Sequence, residues 1–128
     1  MSLQDSIIKR HERSYLITVE GRLDSSTYLE FEEKIGPVLN SSPRLLIFDL
    51  EKLDYISSLG IRSIVNARKA VESQDGHVVL IKLQSHIRKV FEIVSALPLE
   101  AVFSSVEEAD IYFDMVQKQE IEKSRSSN

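Results

Sequence analysis

At 128 residues the chain has the size of one domain, and a 42% hydrophobic share is enough for one sizeable core. A net charge of -4 argues against general attraction to phosphate backbones or anionic membranes, so neither nucleic acid nor a membrane surface is an expected partner. Cysteine is absent, which excludes disulfides, thiol catalysis, zinc-thiolate sites and iron-sulfur clusters.

The opening MSLQDSIIKRHERS lacks a continuous apolar core of signal-peptide type, and no later stretch approaches the roughly 20 apolar residues that span a bilayer. The expectation is a cytoplasmic protein. LQDSIIKRHER reads as a weak strand with its turn near Arg10 to Arg13. The next strand is clearer, because Tyr15, Ile17 and Val19 alternate with Leu16, Thr18 and Glu20. The two predict an antiparallel hairpin.

After Gly21, DSSTYLEFEEKIGPVL offers Thr27 and Glu30 at capping-box spacing, and Tyr28, Phe31, Ile35 and Val38 follow helical periodicity. Gly36 and Pro37 weaken the last turns of this helix, since proline removes an amide donor and crowds the preceding turn. LLIFDL from Leu45 and VVLIKL from Val78 are short, nearly continuous apolar runs, the pattern of central parallel strands covered on both faces. Between them Ile61, Ile64, Val65 and Val71 predict a helix from Ser58 that ends near Gly76.

Ile87, Val90, Phe91 and Val94 predict an amphipathic helix behind Ser85. Ala101 to Phe103 predict a short edge strand. Ser105 and Glu108 then form a capping box for a helix carrying Ala109, Tyr112, Phe113 and Val116. The domain is expected to span residues 3–116, with 117–128 as a polar extension of the last helix or a frayed tail. Strands alternating with helices at this spacing imply an α/β fold: a mixed, largely parallel sheet of about five strands with about four helices.

Catalytic patterns are missing. His11, His77 and His86 fall at unrelated positions without metal-pair spacing, so neither a metal nor a cofactor is expected. A nucleophile elbow needs glycines two residues either side of its serine, whereas Ile56 and Gly60 flank Ser58. There is no phosphate-binding loop ending in Gly-Lys-Ser or Gly-Lys-Thr. Taken alone, Ser57 and Ser58 read as helix-capping serines.

The segments GRLDSST, LLIFDLEKLDYISSLGIRSI and HIRKVFEIVSALPLEAVFSSVEEA, in that order, resemble the STAS domain of anti-sigma factor antagonists. That resemblance implies a regulator, not an enzyme. It would bind an ATP-binding anti-sigma factor serine kinase, be phosphorylated by it on one serine, and be restored by a PP2C-type phosphatase. The family acceptor pattern maps onto ISSLG with Ser58 as the phosphorylated residue. Ser57 stands where the family often has aspartate, and Leu59 where it has a small residue.

The resemblance also places Asp24, Ser57, Gly60 and Arg62 with Ser58 on a partner-binding rim, and allows a weak homodimer. A helix N-terminus at the rim of a parallel sheet offers free amides and a partial positive charge, which suits a phosphate. Two readings stay open: a phosphorylation switch, or a constitutive scaffold or interaction subunit in which Ser58 merely caps its helix.

Overall fold

The computed structural model describes residues 3–9, 13–96 and 105–126. The expected strand at 101–103 and most of the turn at 10–13 lie outside the described residues.

Strand β1 (Leu3–Lys9) pairs antiparallel with β2 (Ser14–Leu23), in register from Leu3 opposite Gly21 to Lys9 opposite Tyr15. This is the expected hairpin. The alternation in β2 has its physical outcome: Ile17, Val19 and Leu23 are each fully buried, while their neighbours are half-exposed. On its other edge β2 takes two parallel partners in succession. Strand β3 (Leu45–Asp49) lies along Ser14 to Thr18, and β4 (Leu53–Ile56) along Gly21 to Leu23. Between these stretches the register shifts at Gly21 and Arg22, where Gly21 adopts a φ of 95°, a left-handed conformation that favours glycine. Strand β5 (His77–Ile81) pairs parallel to β3 and completes a five-stranded mixed sheet.

The strand count agrees with expectation, but β4 takes a place the sequence did not announce. LDYI carries only Leu53 and Ile56 on the core side, and Asp54 and Tyr55 interrupt any apolar run. Its pairing with the end of β2 makes it a strand. The other difference is β5, which ends the sheet among the described residues and leaves Val79 43% exposed. Its apolar run thus includes an exposed position, while Val78 and Leu80, with Leu83 just beyond the strand, pack on the core.

Helix α1 (Tyr28–Asn40) buries Phe31, Ile35 and Val38, and its weakened last turns run through Pro37. The donor that proline lacks would have served Glu33, an exposed position whose carbonyl water can reach, so the buried stripe outweighs the loss. Helix α2 (Ser58–Glu72) buries Ile61, Ile64, Ala67 and Val71, and α3 (Ser85–Ala96) buries Ile87 and Val90. Helix α4 (Val106–Ser126) begins where the capping box predicts it, with the Glu108 amide donating to Ser105 Oγ at 3.1 Å. It packs on α3 and α2. No helix among the described residues is long and apolar enough to cross a membrane.

The start of α2 is pressed onto the end of β2. A Cβ built on Gly60 would lie 2.5 Å from the Leu23 carbonyl oxygen and 2.9 Å from its side chain, so no larger residue fits without moving the helix. Gly60→Ala is expected to lower unfolding free energy by about 1–3 kcal/mol, the usual cost of overpacking, as measured by urea denaturation.

Candidate functional site

The site is the junction where β4 turns into α2, at the rim reached by the C-terminal ends of β2 and β4. The Ser57 amide donates to the Leu23 carbonyl at 2.9 Å, which anchors the turn to the central strand. Ser57 has extended geometry (φ -97°, ψ 175°), and its Oγ accepts from the Gly60 amide at 3.4 Å. It is thus the N-cap of α2. The capping reading of the two serines divides between them, because Ser58, the first helical residue, turns its side chain elsewhere.

Ser58 Oγ donates to Asp110 Oδ1 at 2.7 Å, and the Ser58 amide donates to the same oxygen at 2.9 Å. Asp110 belongs to α4. The carboxylate accordingly sits at the positive end of α2, satisfying one of the amides a helix N-terminus leaves open. Only 2% of Ser58 is exposed. Ser58 thus lies at the expected rim, where α4 covers its hydroxyl.

Two further side chains of α4 grip the same junction. Gln117, 1% exposed, accepts from the Ile56 amide through Oε1 at 3.1 Å. Its Nε2 donates to the Ile56 carbonyl at 2.8 Å and to the Phe113 carbonyl at 3.1 Å. Asp114 accepts from the Tyr55 hydroxyl. Burial, reinforced by the charges of Asp114 and Asp110, pushes the Tyr55 phenol up to about 12.

On the other side of Tyr55, the Arg22 guanidinium lies 4.0 Å above the ring centre, and its Nε meets Asp24 Oδ2 at 3.3 Å. Asp24 organises the loop before α1. Its Oδ1 accepts from the Ser26 amide at 3.0 Å and the Ser26 hydroxyl at 2.7 Å, while Thr27 Oγ1 accepts from the Asp24 amide at 2.9 Å. Burial pushes the Asp24 carboxyl upward, but the bonds from Ser26 and from Arg22 outweigh it and hold the pKa below the ordinary value. Thr27 makes no capping bond of its own to α1 and donates instead to the Arg22 carbonyl at 2.9 Å.

Of the residues singled out from sequence, Ser57, Ser58 and Gly60 are buried together at the junction, and Asp24 is one residue beyond the Leu23 carbonyl that anchors it. Arg62 is half-buried one turn into α2, with a buried Nε that makes no hydrogen bond, and it is Asp110 that holds the Ser58 hydroxyl. His86 is buried in a structural role, with Nε2 donating to the Asp54 carbonyl at 2.6 Å, and His77 is exposed. Sequence reasoning missed Asp110, Asp114 and Gln117. The available signal was Gln117, a polar residue in phase with Ala109 and Phe113 on the buried stripe of α4.

The STAS domain family model matches residues 5–109. BtrV of Bordetella bronchiseptica, named for an anti-sigma factor antagonist role, is 33% identical over 95 residues, covering 74% of this chain and 82% of that protein. The anti-sigma-B factor antagonist of Staphylococcus aureus is 28% identical over 96 residues, covering 75% of this chain and 89% of its own. Among solved structures, the anti-sigma factor antagonist SpoIIAA in its unphosphorylated form has a TM-score of 0.62 at 20% identity, covering 70% of this chain and 83% of that one. An anti-sigma factor antagonist from Mycobacterium paratuberculosis has a TM-score of 0.61 at 20% identity, covering 84% and 90%.

Two measurements check this geometry. The Tyr55 phenol is expected to ionise near 12 instead of 10.0 in an ultraviolet absorbance titration, and Tyr55→Phe should remove that transition. Because the folded value is the higher one, the associated stabilisation is present below the unfolded pKa and is lost as pH rises from 10.0 toward 12. Gln117→Leu strands the Ile56 amide and carbonyl and is expected to cost about 1–3 kcal/mol for each group left unpaired, read from denaturant unfolding.

Proposed function

Because the chain belongs to the STAS domain family, we propose that it is a phosphorylation-controlled partner-switching regulator of the anti-sigma factor antagonist type, acting in the cytoplasm and not itself an enzyme. Unmodified, it binds an ATP-binding anti-sigma factor serine kinase. Phosphorylation of Ser58 releases it, and a PP2C-type phosphatase restores it. The observation that carries this reading is the position of Ser58, the first residue of α2, at the sheet rim and beside the N-cap Ser57.

In the transfer step Ser58 Oγ attacks the γ-phosphorus of ATP held by the kinase, the bond from that phosphorus to the β,γ-bridging oxygen breaks, ADP leaves, and the hydroxyl proton passes to a base. The product carries about -1.5 to -2 charges at the end of α2, where the helix dipole favours it. At a partner surface the same charge acts by repulsion and desolvation, each worth several kcal/mol in a close interface. Arg62, at i+4 from Ser58 and with an unpaired Nε, steadies the phosphate or meets the kinase in this reading. Asp24, Ser57 and Gly60 complete the proposed partner-binding rim, Gly60 by seating the helix.

A constitutive scaffold is the second reading, favoured by the burial of Ser58 and its bond to Asp110. Incubation with the cognate kinase and ATP separates the two. Site-resolved mass spectrometry is expected to find one phosphate, on Ser58, and none in Ser58→Ala. A phosphate on Ser57, or one that persists in Ser58→Ala, would refute the assignment, and no modification at all would leave the scaffold.

A further inference from the structure

We infer that helix α4 is a displaceable cover on Ser58, and that the docked helix and a phosphate on Ser58 exclude one another. The inference rests on Ser58 being the acceptor. With 2% of the residue exposed and Asp110 Oδ1 2.7 Å from Oγ, a γ-phosphorus has no line of approach to the hydroxyl while α4 is in place. Transfer therefore requires the helix to lift.

After transfer the hydroxyl proton is gone, so the oxygen that donated to Asp110 becomes part of a dianionic group facing Asp110, with Asp114 one turn further along the same helix. Acceptor meets acceptor, and like charges at this distance repel. The phosphate also competes for the partners that Asp110 holds, since the Ser58 amide and the end of the α2 dipole suit a phosphate oxygen as well as a carboxylate oxygen. Asp110 thus occupies the unmodified site as an internal stand-in for the phosphate.

The rest of the molecule permits the movement. Among the described residues, the fully buried apolar side chains of α4 are Ala109 and Phe113, with Tyr112 partly buried beside them, while nearly all of the remaining core comes from β2, β3, β4 and the other helices. The other links between α4 and the junction are the polar ones of Gln117 and Asp114. Lifting the helix leaves the sheet and its α1–α2 packing in contact, which is the condition for opening below the free energy of global unfolding.

Amide hydrogen exchange followed by NMR on the full chain tests this without a kinase. Ser58→Asp places a carboxylate against Asp110, whereas Ser58→Ala removes only the hydroxyl bond. In Ser58→Asp the amides of α4 and of Ile56 are expected to exchange at least about tenfold faster than in Ser58→Ala, with the β2 and β3 amides unchanged. Adding Asp110→Asn to Ser58→Asp, which supplies an amide donor to the new carboxylate, should restore the protection of α4. Equal protection of α4 in the two single variants would overturn the inference, as would its loss only together with that of β2 and β3. The phosphate mapping described above tests the acceptor assignment separately, so either idea can fail alone.

Discussion

The Leu23 carbonyl is the point on which the site depends. It accepts from the Ser57 amide at 2.9 Å, and the start of α2 lies so close to it that a Cβ on Gly60 would fall within 2.5 Å. These two constraints fix where β4 stops and α2 begins. Ser57 is left to cap the helix, and Ser58 becomes its first residue. The bulge at Gly21 and Arg22 belongs to the same arrangement, because it lets one strand pair with β3 along its first half and with β4 at its end.

On that frame, electrostatics decide what surrounds the serine. The N-terminus of α2 attracts negative charge, and α4 presents Asp110 and Asp114 one turn apart on the face that meets it. Asp110 satisfies an open amide of the helix, and Asp114 takes the Tyr55 hydroxyl, whose ring in turn supports the Arg22 guanidinium. Arg22 leads to Asp24 and so to the loop before α1. The last helix, the turn before the second and the loop before the first are joined through a chain of polar contacts across the rim. Gln117 adds a fully buried link by closing both backbone groups of Ile56. An unpaired amide and carbonyl at that depth would each be costly, so the helix is held by what it completes as well as by the apolar area it buries.

The proposed switch has a structural consequence. A serine hydroxyl free of other elements would take a phosphoryl group on its oxygen with little disturbance, whereas this serine is bonded to a carboxylate on another element. A charge added at Ser58 would therefore face a carboxylate of α4, 52 residues away in sequence. Among the described residues the helix gives the fully buried core only Ala109 and Phe113, so the sheet keeps most of its packing without it.

Much of the fold was legible because it depends on local periodicity. The alternation of Ile17 and Val19, the stripe of Phe31, Ile35 and Val38, and the capping box at Ser105 and Glu108 each report a face or a boundary within a few residues. The position of Ser58 was legible from the order of its neighbours. What local pattern left undecided depended on distant partners: β4 is a strand because Leu23 and Arg22 pair with it, and α1 passes through Pro37 because its stripe is buried. The residue facing Ser58 was not legible at all, since Asp110 is one of many acidic residues on a polar helix until the fold brings it to the end of α2. Sequence by itself determined the α/β class, the helix faces and the serine at the strand-to-helix turn, because these follow from backbone propensity and hydrophobic period. Only the tertiary structure decided that Ser57 caps, that Ser58 is covered and that Asp110 covers it, because side-chain hydrogen bonds between elements depend on distances that no local pattern encodes.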